Sequence, residues 1–186
     1  MDALTALHER VSAPRLTDPA PAGEVLANIQ KAAFRAADHA RMRPWRFLVL
    51  EGEGLNALGE LFARAEAKNN PSLTDKERER ALQKPLRAPM VIVAIASPKE
   101  NPKVPEIEQV LSTGAAVQNM ITAAYAQNIG AIWRTGGYAY DETVMAGLGL
   151  SKEEKIVGFL YLGTKVFTPP PPPEAEITDY FQSWPL

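Results

Sequence analysis

The sequence predicts an α+β sandwich built around one sheet. Two mostly apolar runs of strand length, "PMVIVAIAS" at 89–97 and "KIVGFLYLG" at 155–163, are typical of strands buried on both faces. Segments with apolar residues at helical spacing outnumber the three or four predicted strands. That balance favours helices packed on a central sheet.

Six segments predict helices. The first, 2–11, places Leu4, Leu7 and Val11 on one face, and the longest, 105–130, is almost free of charge in its middle. Such a helix is buried nearly all round, within the domain or across a subunit contact. The remaining segments are 23–40, 54–69, 74–89 (where Thr74 is the predicted N-cap) and 141–150.

Two further strands are predicted. "WRFLVLEG" at 45–52 follows Pro44, which suits a strand entrance because proline cannot donate to a ladder. "IGAIWRTGG" at 129–137 is interpreted as a strand that runs into a glycine-rich loop.

The chain changes character after residue 168. Five consecutive prolines at 169–173 force an extended segment, and Tyr180, Phe181 and Trp184 follow it. We therefore expect one domain over 1–168 and a proline-rich C-terminal extension over 169–186 that packs on another surface, such as a second subunit.

Composition excludes several classes of protein. A net charge of −2 provides no overall field for nucleic acid or anionic membrane, and the chain has no cysteine for a disulfide or a thiolate nucleophile. The N-terminal residues lack a signal-peptide pattern, and no run is apolar over the length of a membrane span. We expect a cytoplasmic protein without membrane contact.

No metal site and no catalytic acid or base is predicted. His39 has no second histidine or carboxylate at metal-ligand spacing, and no partner that would orient it as a base. The chain contains neither a G-x-S-x-G elbow nor a Gly-rich nucleotide fingerprint.

A cluster of arginines with one tryptophan raises the alternative of single-stranded nucleic-acid binding. Arg35, Arg41, Arg43 and Arg46 surround Trp45, and such proteins combine phosphate contacts with base stacking. However, Trp45 and Phe47 share one face of an apolar strand, which favours a core tryptophan flanked by solvated arginines.

Three groups of residues suit a phosphate-bearing ligand. They are Arg10 with Ser12 at a helix end, Arg35 with His39, and Arg134–Gly136 after a buried strand. From the residues alone, the prediction stops at that class of ligand.

Nearly the whole chain resembles the FMN-dependent nitroreductase family, in its small single-domain subgroup. The resemblance rests on the order and spacing of "MDALTALHERVSAPRLTDPAP", "FRAADHARMRPWRFLVLEGEG", "VPEIEQVLSTGAAVQNMITAAYAQNIGAIWRTG" and "KIVGFLYLGT". It implies an α-β-α sandwich with a mixed, mainly antiparallel sheet, a homodimer with FMN at the subunit interface, and NAD(P)H as electron donor. The implied activity is reduction of nitro compounds, quinones or a related small acceptor, and a low-turnover flavin carrier or sensor is the alternative.

The resemblance also implies cofactor-binding residues. Arg10, Val11 and Ser12 match the segment that contacts the FMN phosphate and ribityl chain, and Arg35 with His39 match positions that reach the flavin of the other subunit. The strand end along the flavin ring matches Ala131, Ile132, Trp133 and Arg134. Arg43 stands where larger relatives often have glutamine, and this departure leaves hydrogen bonding near the flavin open.

Overall fold

The computed structural model describes residues 1–184. Five strands form one sheet, β1 (Leu16–Thr17), β2 (Trp45–Glu51), β3 (Met90–Ala96), β4 (Gly130–Arg134) and β5 (Lys155–Lys165). Six helices accompany them, α1 (Ala3–Glu9), α2 (Gly23–Ala33), α3 (Glu53–Asn69), α4 (Asp75–Leu82), α5 (Glu106–Ala126) and α6 (Glu142–Gly147). The predicted α+β class is confirmed.

The long strand β5 organises the sheet. It pairs with β3 along one edge and with β4 along the other, and its last residues pair with β1. β2 lies outside β3, and every pairing among the described strands is antiparallel. The mainly antiparallel sheet is therefore confirmed, and the two-residue β1 is a strand that the sequence patterns did not predict.

The sheet lies between two helical layers. All seven residues of β3 are buried, and alternate side chains of this strand enter different cores because successive residues of a strand face opposite sides. Val91, Val93 and Ile95 pack with α3 and α6, whereas Met90 and Ile92 pack with α2 and α5. This arrangement is the predicted three-layer sandwich.

A side chain caps the start of three of these helices, at Asp2, Thr74 and Asp141. Thr74 caps α4 as predicted, and Glu77 completes a reciprocal capping box that satisfies otherwise unpaired backbone N–H groups. The second helix is shorter than predicted, because it ends at Ala33 and a separate 3-10 turn covers His39–Arg41. Arg35 and His39 consequently do not share a helix.

The interpretation of Trp45 as a core residue is supported. Trp45 and Phe47 are half-buried and pack against the α2 and α5 side of the core. By contrast, the apolar face of α1 is exposed at Leu4 and Leu7, and α5 exposes Ile107 and Leu111.

The tail after β5 lies on the surface. Residues 170–184 are exposed, including Tyr180, Phe181 and Trp184. Pro185 and Leu186, the last residues of the predicted extension, are outside the described part of the chain. No helix among residues 1–184 is long and apolar enough to cross a membrane.

Candidate functional site

A cavity of about 600 Å³ opens on the α3 side of the sheet, where β4 ends. Its apolar wall consists of Phe62 from α3 with Phe159 and Tyr161 from β5. Trp133, Arg134 and the loop after β4 also line it. A concave site with aromatic walls and a few polar groups is typical of a cofactor or small-molecule site.

Tyr138 joins three elements in this cavity. Its ring stacks on Phe62 with centroids 3.9 Å apart and planes 6° from parallel. Its hydroxyl donates to Oε1 of Glu66 at 2.5 Å and accepts from Nζ of Lys84 at 2.5 Å. Burial, followed by the hydrogen bond to Glu66, raises the pKa of Tyr138, so the phenol stays protonated at neutral pH.

The cavity contains more positive than negative charge that is free to act on a ligand. Glu66 is within 3.5 Å of the Lys84 ammonium, and Asp141 accepts from Asn69 and caps α6. Within residues 1–184, Arg87 and Arg134 have no carboxylate partner. Two guanidinium groups without counterions suit an anionic ligand.

Arg134 contains an unsatisfied donor. Its guanidinium lies 5.8 Å from the centre of the Tyr161 ring, and its buried Nε has no hydrogen-bond partner among the described residues. Because leaving a buried donor unpaired is costly, this atom is suited to an acceptor that a ligand would provide.

The glycine-rich loop leaves space beside the cavity. Gly136 has a φ of 75°, which other residues rarely adopt, and nothing lies within 4 Å of where a Cβ would be at Gly136 or Gly137. Backbone N–H groups of this loop can therefore approach a flat ligand closely, as the sequence suggested.

The segment from Arg10 to Ser12 is attached to the start of β4. Arg10 is the C-cap residue that follows α1, and the Ala13 N–H donates to the Ala131 carbonyl at 2.9 Å. The structure thus connects the residue after Ser12 to the start of β4, whereas only Trp133 and Arg134 of the predicted residues in these two groups line the cavity.

Arg35 and His39 lie elsewhere in the same chain. His39 Nδ1 is 2.7 Å from Glu108 Oε2 near the start of α5, and the Ser112 hydroxyl donates to the Ala37 carbonyl. β4 runs back along α5, and the Trp133 side chain is 3.7 Å from the Cβ position of Gly114 on that helix, but neither Arg35 nor His39 lines the cavity. The expectation that His39 lacks an orienting partner was wrong, because Glu108 contacts it in the folded chain. The sequence did not indicate this pair because the two residues are 69 positions apart.

The turn that carries His39 is strained. Ala40, Arg41 and Arg43 all have positive φ values, between 47° and 57°, which costs about 1 kcal/mol or more for each residue. Asp38 holds the turn, because its carboxylate accepts from the Arg43 N–H at 2.8 Å, and Lys99 donates to the Met42 carbonyl. Backbone strain of this kind often marks a functional segment.

The cavity residues that were not predicted from the sequence include Glu66, Lys84, Arg87 and Tyr138. Their sequence signals were weak because each occupies an ordinary helix, loop or turn. Only Tyr138 was adjacent to a feature already singled out, the glycine-rich loop.

A scan of protein families matches the nitroreductase family over residues 7–164. The chain belongs to the nitroreductase family. Two relatives are named "Putative NAD(P)H nitroreductase". YdjA of Escherichia coli strain K12 is 45% identical over 88% of each chain. The Haemophilus influenzae relative is 36% identical over 88% of this chain and 89% of its own.

Solved structures of this family share the fold. A nitroreductase-like family protein from Bacillus cereus is 25% identical, with a TM-score of 0.84 over 100% of this chain and 97% of its own. A Desulfovibrio desulfuricans protein solved in complex with FMN is 21% identical, with a TM-score of 0.74 over 100% and 98%. These likenesses confirm the nitroreductase-like sandwich expected from the resemblance.

Proposed function

We propose that this nitroreductase-family chain is an FMN-dependent oxidoreductase that takes hydride from NAD(P)H and reduces nitro compounds, quinones or a related small acceptor. The observation that carries the proposal is the aromatic cavity at the end of β4, where Arg87 and Arg134 have no carboxylate partner among residues 1–184. Relatives named for NAD(P)H and a structural neighbour solved with FMN support the same reaction class.

The residues present fit FMN. The unpaired Arg134 Nε, the open backbone at Gly136 and the volume of the cavity suit a flat anionic cofactor. We assign Arg10, Val11 and Ser12 to the phosphate and ribityl chain. Ala131, Ile132, Trp133 and Arg134 would flank the ring.

When bound, FMN supplies the hydride chemistry, and the protein contributes binding, orientation and electrostatics. Phe62, Phe159 and Tyr161 exclude water from one wall of the cavity. The cations Lys84 and Arg87 favour negative charge on a ligand in the cavity, and they act more strongly there than in bulk water. No side chain needs to serve as the catalytic acid or base.

We also propose that the enzyme is a homodimer with the cofactor at the subunit interface. The exposed apolar side chains of α1 and α5, Leu4, Leu7, Ile107 and Leu111, support a second copy as the partner. A dimer would also give Arg35 and His39 a role, because neither lines the cavity of its own chain and both would reach the flavin of the partner.

The extension over 169–186 is proposed to pack on the partner subunit, outside a catalytic domain over 1–168. An apolar groove of about 520 Å³, lined by Phe34, Trp45, Phe47 and Val49 among others, suits its aromatic residues. The buried Nε1 of Trp45 has no acceptor among the described residues. The extension has Glu174, Glu176 and Asp179 and no basic residue, which complements the arginines beside the groove.

We place the enzyme in the cytoplasm, where NAD(P)H is available as donor.

Turnover separates an enzyme from a flavin carrier. Under anaerobic conditions, NADH or NADPH should bleach the bound flavin, and a quinone or a nitroaromatic compound should restore its colour through repeated cycles. Bleaching followed by no more than one slow reoxidation would refute the enzymatic proposal and leave a carrier or sensor.

A further inference from the structure

A hydrogen-bonded chain in the cavity wall has a fixed direction. Lys84 donates to the Tyr138 oxygen, and the Tyr138 hydroxyl donates to Glu66. The stacking of Tyr138 on Phe62 fixes the phenol in place, and α3, the segment before β3 and the loop after β4 each provide one member.

This geometry separates the Lys84 ammonium from the Glu66 carboxylate. Nζ of Lys84 is 3.5 Å from Oε1 of Glu66, whereas a direct charge-assisted hydrogen bond would be about 2.8 Å long. A lysine side chain is flexible and is drawn towards a carboxylate. Without the Tyr138 hydroxyl, Lys84 would therefore move onto Glu66 and present less positive charge to the cavity.

We propose that Tyr138 is a positioning residue that keeps the Lys84 ammonium directed at the ligand of this cavity, and thereby favours reduced FMN over oxidised FMN. The inference rests on the proposed function, which places FMN in the cavity. Reduction adds negative charge to the flavin, and a fixed cation at a poorly hydrated site stabilises that charge. The raised pKa of Tyr138 is consistent with this role, because a neutral phenol can both accept from Lys84 and donate to Glu66.

The test compares Tyr138→Phe, Lys84→Met and the double variant. Tyr140→Phe is the matched control, because Tyr140 is 75% exposed and outside the lining of the cavity. Titration of apoprotein with FMN, followed by flavin fluorescence, gives the dissociation constant of oxidised FMN. The midpoint potential of the bound flavin then gives the ratio of affinities for reduced and oxidised FMN.

Lys84→Met should lower that ratio about tenfold, which is about 30 mV for a two-electron couple. Tyr138→Phe should lower it about threefold, because Lys84 stays but is displaced. Adding Tyr138→Phe to Lys84→Met should have no further effect, and Tyr140→Phe should match the wild type.

A wild-type ratio in Tyr138→Phe, or an equal decrease with and without Lys84, would overturn the positioning role. An unchanged ratio in Lys84→Met would overturn it as well, while the proposed function would stand. Failure of the wild-type protein to bind FMN would instead refute the proposed function. Glu66→Gln provides a second variant, because loss of its negative charge should raise the ratio; a decrease or no change would contradict the model.

Discussion

The ion pair between Arg46 and Glu154 provides a quantitative test of the fold. Arg46, on β2, donates through Nε and Nη2 to the two carboxylate oxygens of Glu154 at 2.7 and 2.8 Å. Only 10% of the Glu154 side chain is exposed, and the Ser151 N–H also donates to it. Glu154→Gln keeps the shape of the side chain and removes its charge.

The magnitude follows from the pKa of Glu154. The Arg46 hydrogen bond, opposed by burial, lowers it from 4.5 to about 2. That difference corresponds to about 3 kcal/mol of stability at pH 7. Because 35% of the Arg46 side chain is exposed to solvent, we expect a loss of about 2 kcal/mol in Glu154→Gln.

The same pKa gives the sign of the pH dependence. The lowered pKa means that the stabilisation is complete above pH 4.5 and is lost as the pH falls towards 2. Urea unfolding should therefore show a cost of about 2 kcal/mol for Glu154→Gln at pH 7 and less than about 1 kcal/mol at pH 3. Glu153→Gln, at the exposed neighbouring position, is the control. An equal cost at both pH values would refute the ion-pair explanation.

Three further changes test the site and the assembly. Arg10→Ala should weaken FMN binding about 10- to 100-fold by loss of charge-assisted hydrogen bonds, as measured by fluorescence titration, whereas Arg64→Ala on the exposed face of α3 should not. Gly158→Ala would place a methyl group against the Trp133 indole. The variant should lower the unfolding free energy by about 1–3 kcal/mol and weaken FMN binding. Wild-type values would contradict the packing described. Removal of residues 169–186 should weaken the dimer in sedimentation experiments, and an unchanged dissociation constant would argue against packing of the extension on the partner.

Most of the fold could be predicted because its elements have strong local patterns. The apolar runs within Met90–Ala96 and Lys155–Lys165 favour burial, and the threonine before α4 with the acidic first turn of that helix specifies a helix start. The two-residue strand β1 has no such pattern, since its position depends on pairing with the end of β5.

The region after α2 was harder to predict. Helical spacing continues past Ala33, but the structure replaces the helix with a turn in which Ala40, Arg41 and Arg43 have positive φ. Contacts distant in sequence, such as Lys99 with the Met42 carbonyl, hold this conformation. Local propensity does not report such contacts.

Contacts between residues distant in sequence also limited the prediction of the cavity. Arg134 was predicted because it follows a buried strand, and Trp133 because the family resemblance implied it, whereas Lys84 and Glu66 meet Tyr138 from positions 54 and 72 residues away. No spacing rule connects these three residues. Arg35 and His39 are also hard to connect with the site from one sequence, because the proposed dimer would place them beside residues of another chain.

Binding of FMN is the measurement that tests the account most directly. Apoprotein titrated with FMN should turn yellow and reach one FMN per chain, and the complex should sediment as a dimer. A protein that stays colourless at saturating FMN, or that binds FMN equally well after Arg10→Ala and Arg134→Ala together, would contradict the site described at the end of β4.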